Sequence, residues 1–253
     1  MELGVNGLKA IILGGSRGIG RYTAELLRSE GCSTAICARH ADQLETAGEE
    51  LRAIGSGEVF TQVADLADGE QTRSFVRAAI DGLGGCDILI HNASGFDLTG
   101  DEEGWERSFQ VDMMAGVRAV EEAIPALEAS DAASITLVGS MASKFYFGRR
   151  SSYGPAKAAM RAYANELAQS LGKQRIRANA VSPGAVWFPG GSWDKRKTEQ
   201  PDFYAAVEKS IPLGRLGTGE ELARVIAFVA SPAGQWINSA HIVADGGQVA
   251  SVD

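Results

Sequence analysis

Basic runs are missing from this chain. Its formal net charge is −8, and no cluster of lysine and arginine gives a face wide enough to follow a phosphate backbone, which argues against nucleic acid as a partner. Long apolar runs are missing too. No stretch approaches the roughly 20 residues that cross a bilayer, and the opening MELGVNGLKA lacks the basic start and apolar core of a secretory signal. Only three cysteines occur, Cys32, Cys37 and Cys86, with neither a C-x-x-C pair nor a Cys/His ligand spacing. A soluble protein of the reduced cytoplasm is therefore expected. Histidine is equally scarce: His40 reads as a surface residue and His91 and His241 as strand ends, none with a partner at metal-ligand spacing. No metal is expected, and no internal repeat or low-complexity tract interrupts the chain.

What is present is glycine in one telling place. Ala10-Ile11-Ile12-Leu13 stops at Gly14, Gly15, Gly18 and Gly20, and Ile19, Thr23, Leu26 and Leu27 then recur at helical spacing. Strand, tight turn and helix bring backbone N–H groups and the positive end of a helix dipole to one point, and glycine lets a diphosphate touch that backbone. The spacing is G-x-x-x-G-x-G, a relative of the usual dinucleotide fingerprint with a different turn length.

The same alternation continues. Strands are expected at Ser33–Ala38, Val59–Val63, Ile88–Ile90, Ile135–Val138, Arg177–Val181 and His241–Ala244, with helices at Ala41–Ile54, through Phe75–Leu83, at Ser151–Leu171 and around Leu222–Val229. Between strands four and five, one long helix is predicted with Trp105, Phe109, Met113, Val117, Val120, Ile124 and Leu127 on a single stripe. The 253 residues are 45% hydrophobic, enough for one large core. The expected fold is a single-domain, Rossmann-like, doubly wound parallel sheet of about seven strands with helices on both faces. Residues from about 185 to 212, with prolines, paired glycines and several aromatics, break the rhythm and are expected to form a lid. Lys195-Arg196-Lys197 within it reads as a solvated surface.

Ligands of such sheets bind beyond the carboxyl ends of the strands. Ser140 follows the fifth strand there, and Tyr153 and Lys157 stand four apart at the start of the next helix, on one face. A phenol titrates near pH 10, and a neighbouring ammonium favours phenolate, so the pair reads as a tunable acid and base. Such a pair alone arises by chance; joined to Ser140 and the glycine turn it points to oxidoreductase chemistry.

Taken in order, Gly14, Gly18 and Gly20, Asp65, Asn92-Ala93, Ser140, Tyr153-x-x-x-Lys157, Asn179, Pro183-Gly184 and Asp245-Gly246-Gly247 resemble the short-chain dehydrogenase/reductase family over nearly the whole chain. The resemblance implies hydride transfer between a nicotinamide ring and a carbonyl or secondary alcohol. Tyr153 would exchange the proton, Ser140 would hydrogen-bond the reacting oxygen, and Lys157 would hold the nicotinamide ribose and, with the oxidised ring's charge, lower the phenol's pKa. Cofactor contacts are implied for Gly14, Ser16, Arg17, Gly18, Ile19 and Gly20, for Asp65 and Leu66, for Asn92 and Ala93, and for Pro183, Gly184 and Val186, besides Tyr153 and Lys157. The family's fourth catalytic position, usually Asn, falls on Asp112, which could place a water or pair with Lys157. Leu13, Ser94 and Phe188 also depart from the family's usual Thr, Gly and Thr.

The second strand ends at Ala38, followed by Arg39, where NAD-binding forms carry an acid. Arg39 with Arg17 suits a 2′-phosphate, so NADP is expected ahead of NAD. Aromatics at Phe96, Phe145, Tyr146, Phe147, Trp187, Phe188, Trp193, Phe203 and Tyr204 favour a hydrophobic or cyclic substrate. Two alternatives stay open: a 3-oxoacyl thioester reductase, with Arg149 and Arg150 near a phosphorylated carrier, and a non-catalytic NADP-binding sensor or scaffold. Family resemblance also implies a homo-oligomer, tetramer or dimer.

Overall fold

The computed structural model describes residues 2–146, 148 and 150–250. In the first half the apolar runs become strands, each followed by a returning helix: β1 (Lys9–Leu13), α1 (Gly18–Ser29), β2 (Ser33–Ala38), α2 (Ala41–Arg52), β3 (Val59–Val63), α3 (Gly69–Leu83) and β4 (Ile88–His91). Then come α4 (Glu102–Ser108), a π-helical turn (Phe109–Met114), α5 (Ala115–Glu128), β5 (Ser134–Val138), α6 (Tyr153–Leu171) and β6 (Arg177–Pro183). The chain closes with β7 (Val186–Trp187), α7 (Ser192–Glu199), α8 (Pro201–Ser210), β8 (Gly217–Thr218), α9 (Gly219–Ala230) and β9 (His241–Ala244).

Seven strands form one parallel sheet in the order β3-β2-β1-β4-β5-β6-β9. The chain winds outward from β1 to one edge, then restarts beside β1 with β4, so a crevice opens where the order reverses. The five inner strands are buried on both faces while the edge strands β3 and β9 are half-buried or exposed, and the strands' period of two divides the core. Ile11, Leu13, Leu89 and Ile135 pack with Phe75, Ala119 and Met160 on one side; Ile12, Ile36, Ile88 and Ile90 pack with Leu27, Leu51 and Ile226 on the other. All three cysteines are free and buried, and burial pushes the Cys37 thiol up to about 12. Among the described residues no helix is long and apolar enough to cross a membrane, and no group of three or more His, Cys, Asp or Glu is placed to hold a metal.

Two expectations need correction. The long helix after β4 is interrupted by the π turn, whose extra residue rotates the face that follows by about 100°. Its buried positions are therefore Gly104, Ser108, Asp112, Ala115, Gly116, Ala119, Val120, Ala123 and Leu127, not the full aromatic and aliphatic stripe. Phe109 is 40% exposed and stacks on Trp105 at 6.1 Å between ring centroids. Small residues face the sheet because they let the helix approach closely, and an apolar count cannot see them.

The second correction concerns the irregular stretch, which holds two helices. In α7 and α8, Trp193 stacks on Phe203 at 5.9 Å and meets Tyr204 edge-on at 6.2 Å, above a small core of Ala185, Ile211 and Leu216. Pro201 starts α8, where its missing N–H costs nothing. The pairing of Val186 with Gly217 and Trp187 with Thr218 clasps the base of this hairpin.

Candidate active site

The site begins at the end of β1. Gly14 has φ +80°, and a Cβ there would stand 2.8 Å from the Ala93 Cα; Gly18 has φ +59°, and a Cβ there would stand 2.7 Å from the Phe188 ring. Arg17, in extended conformation before α1, provides no side-chain cap to the helix, so the first N–H groups of α1 are left for an external acceptor. Bare backbone, a helix start and flanking arginines fit a dinucleotide diphosphate. Gly20 belongs to the wall behind. Asn92 Nδ2 donates to the Gly14 carbonyl at 3.0 Å and would lie only 2.5 Å from a Cβ on Gly20.

A cleft of about 620 Å³ runs from this turn across the carboxyl ends of the strands. Gly14, Ser16, Arg17, Gly18 and Ile19 line one end, with Arg39 after β2 and Asp65 and Leu66 after β3. Asn92 and Ala93 after β4 form the middle, and Pro183, Gly184 and Val186 the far wall. Ser140, Tyr153 and Lys157 meet there as well. Sequence reasoning missed Gln43 and Lys195, which also line the cleft. Lys195 is exposed, as expected of a solvated charge, while its neighbours lie on lid rings: Arg196 over Trp193 at 4.8 Å and Lys197 over Tyr204 at 5.8 Å. Asn179, by contrast, ties strand ends together, donating to the Ile237 carbonyl and accepting from Ala240 N, each at 2.9 Å.

The aromatic wall is smaller than the sequence suggests. Phe96, Phe188 and Trp193 line the cleft, while Phe203 and Tyr204 pack around Trp193 and Trp187 donates to Asp194 at 3.1 Å. Phe145 and Tyr146 are 50% and 73% exposed, Arg150 is exposed, and Phe147 and Arg149 lie outside the described residues. Phe96 has φ +46°, unusual for a residue with a Cβ. Its ring meets the Tyr153 ring edge-on at 5.3 Å.

Asp112 lies behind the cleft wall, fully buried in the π turn. Its Oδ1 is 2.9 Å from Lys157 Nζ, its Oδ2 accepts from Gly95 N at 3.0 Å, and its backbone carbonyl accepts from His91 Nε2 at 2.9 Å. Lys157 Nζ also donates to the Val138 carbonyl at 3.1 Å. Of the two options left open for Asp112, the chain takes the ion pair. Burial alone would pull the Lys157 ammonium down, but Asp112, with Tyr153 beside it, lifts it above the usual lysine range.

Lys157 acts on the phenol in the expected direction, but burial outweighs it. Tyr153 is held above the ordinary tyrosine range, first by burial; Lys157 and a hydrogen bond with Ser140 pull it down, and Asp112 pushes it up again. His91, read as a plain strand end, is fully buried beside this pair, and burial followed by the Lys157 charge pushes its imidazole down to about 4. Its place directly before Asn92 was the available signal.

Fold and cleft define a Rossmann-type α/β protein. The chain belongs to the short-chain dehydrogenase/reductase family, a family of oxidoreductases: residues 14–248 match a family model described as enoyl-(acyl carrier protein) reductase. It is 34% identical to isoepoxydon dehydrogenase patN of Penicillium expansum, over 98% of this chain and 96% of that protein. It is 29% identical to trans-4-hydroxycyclohexanecarboxylate dehydrogenase of Sinomonas cyclohexanicum, over 95% of this chain and 92% of the relative. Among solved structures, L-sorbose reductase of Gluconobacter frateurii, complexed with NADPH and L-sorbose, superposes with a TM-score of 0.91 at 27% identity and covers 100% of both chains.

Proposed function

We propose that the protein is an NADP(H)-dependent oxidoreductase acting on a carbonyl or secondary alcohol of a hydrophobic or cyclic substrate. The observation that carries this is the meeting of Ser140, Tyr153 and Lys157 in the cleft that starts at the glycine turn. A bound nicotinamide supplies the hydride for reduction or accepts it in oxidation. Tyr153 gives its proton to the carbonyl oxygen, or takes it from the alcohol, while Ser140 hydrogen-bonds the same oxygen and narrows its approach. Lys157 holds the nicotinamide ribose, and Asp112 holds Lys157. The turn from Gly14 to Gly20, Asp65 and Leu66, Asn92 and Ala93, and Pro183, Gly184 and Val186 bind the rest of the dinucleotide. Arg17 and Arg39 clamp a 2′-phosphate, a reading supported by the NADPH in the L-sorbose reductase complex.

Phe96, Phe188 and Trp193 favour an apolar ring in the substrate end of the cleft, and a relative whose name carries a ring alcohol supports that choice. We place the enzyme in the cytoplasm as a homo-oligomer. The deciding assay follows NADPH consumption by the purified protein with a panel of cyclic ketones and 3-oxoacyl thioesters. Turnover on the ketones is expected, and Tyr153→Phe should lower it roughly 10²- to 10⁴-fold while NADPH binding changes little. Preference for the thioesters would move the substrate class, binding without turnover would favour a sensor or scaffold, and undiminished turnover in the variant would remove Tyr153 from the chemistry.

A further inference from the structure

The catalytic lysine of this chain does not face its tyrosine as an unopposed cation. Lys157 and Asp112 are in contact at 2.9 Å with side chains 2% and 0% exposed, so little water screens their attraction. The carboxylate forms an ion pair with Lys157 through Oδ1 and accepts from Gly95 N at Oδ2, while the backbone carbonyl of the same residue accepts from His91. Its side-chain partners are donors, the environment of a carboxylate anion. Lys157 Nζ stands 5.8 Å from the Tyr153 ring centroid. Seen from the phenol, positive and negative charges are near neighbours, and much of the ammonium's field is cancelled.

Other charged groups around α6 do not replace it. His91 on β4 is neutral near pH 7, and Arg177 on β6 is bound to the carbonyls of Val229, Ala230, Ser231 and Ile237. On α4, Arg107 is paired with Asp97 and Glu103. Arg161 on α6 itself and Lys144 act on His241.

We propose that Asp112 is a positioning residue that offsets part of the Lys157 charge felt by Tyr153, keeps the phenol protonated to higher pH, and so sets the pH range in which this site oxidises an alcohol. This rests on the oxidoreductase reading above. In reduction the carbonyl carbon gains a hydride from the reduced nicotinamide and the oxygen gains the Tyr153 proton; the phenolate left behind takes a proton back from solvent through the cleft. Oxidation must begin from that phenolate, the form Asp112 disfavours.

The test reads the phenol directly. The tyrosinate absorbance of Tyr153, taken as the difference between wild type and Tyr153→Phe, is followed against pH with and without NADP⁺, alongside the pH profile of alcohol oxidation. In the protein without NADP⁺ the wild-type midpoint should lie above the ordinary value of about 10. In Asp112→Asn it should fall by about one unit, a ~10-fold gain in phenolate at a given pH below it, and the oxidation limb should move by the same amount. A wild-type midpoint below 10, or one unmoved in Asp112→Asn, overturns the proposal. Should that variant not fold, Asp112→Ser is titrated in its place against the same criterion. Midpoints that move as stated in a protein without turnover support the charge cancellation and overturn the oxidoreductase reading.

Discussion

His91 is fully buried, donates from Nε2 to the Asp112 carbonyl, and has no hydrogen-bond partner for Nδ1 among the described residues. Its imidazole is pushed down to about 4, against about 6.5 in an unfolded chain. Below that value the unfolded chain binds the proton first. The stability present at neutral pH is therefore lost as pH falls from about 6.5 through 4, by about 3 kcal/mol. His241, also pushed down to about 4 by burial, acts in the same window, so His91→Gln should flatten part of the slope in denaturant unfolding measured across that range. For Arg39, removal of charge-assisted hydrogen bonds worth about 1.5–3 kcal/mol should weaken NADPH binding roughly 10- to 100-fold in Arg39→Ala. NADH binding should barely change, and equal losses for both dinucleotides in a fluorescence titration would remove Arg39 from the discrimination. The places of Arg39, Ser140, Tyr153 and Lys157 were legible because strand ends and helical spacing fix where such residues lie. The direction of the Tyr153 shift was not, because it depends first on how completely the fold buries the phenol, which no local spacing records.

At the level of elements, β2, β3 and β9 have the bounds read from the sequence, since each is a short run rich in β-branched, aromatic or small apolar residues between clear breaks. The π turn at Phe109–Met114 left no such mark. Its inward residues are small or polar, and the large apolar side chains that caught the periodicity partly face outward. Helix α9 shows a local signal that does survive folding: the Thr218 hydroxyl accepts from Glu221 N at 3.3 Å, and the Glu221 carboxylate accepts from Thr218 N at 2.9 Å. That capping box starts the helix that packs along α1 behind the glycine turn. Thr218→Ala should cost about 1 kcal/mol, seen as a lower melting temperature, and an unchanged melting point would show that tertiary packing alone sets the start of α9.

For the molecule as a whole, the cleft's charge runs against the average. The chain carries −8, yet Arg17, Arg39 and Lys195 line the end of the cleft where the diphosphate and 2′-phosphate are proposed to sit. Local cations in a concave wall draw an anionic dinucleotide more strongly than net charge repels it, and salt weakens that pull. The association rate of NADPH, followed by stopped-flow fluorescence, should therefore fall as ionic strength rises; a rate that rises with salt would mean that the net charge governs the encounter. The clasp formed by Val186–Trp187 and Gly217–Thr218 has a different kind of consequence. Because both feet of the helical hairpin are pinned side by side and apart from the seven-stranded sheet, the intervening stretch meets the scaffold at separate points, Phe188 beside Gly18 and Leu213 N donating to the Gly246 carbonyl at 3.3 Å. Exchanging it for one of another length or composition would retailor what enters the cleft while the scaffold beneath keeps its shape.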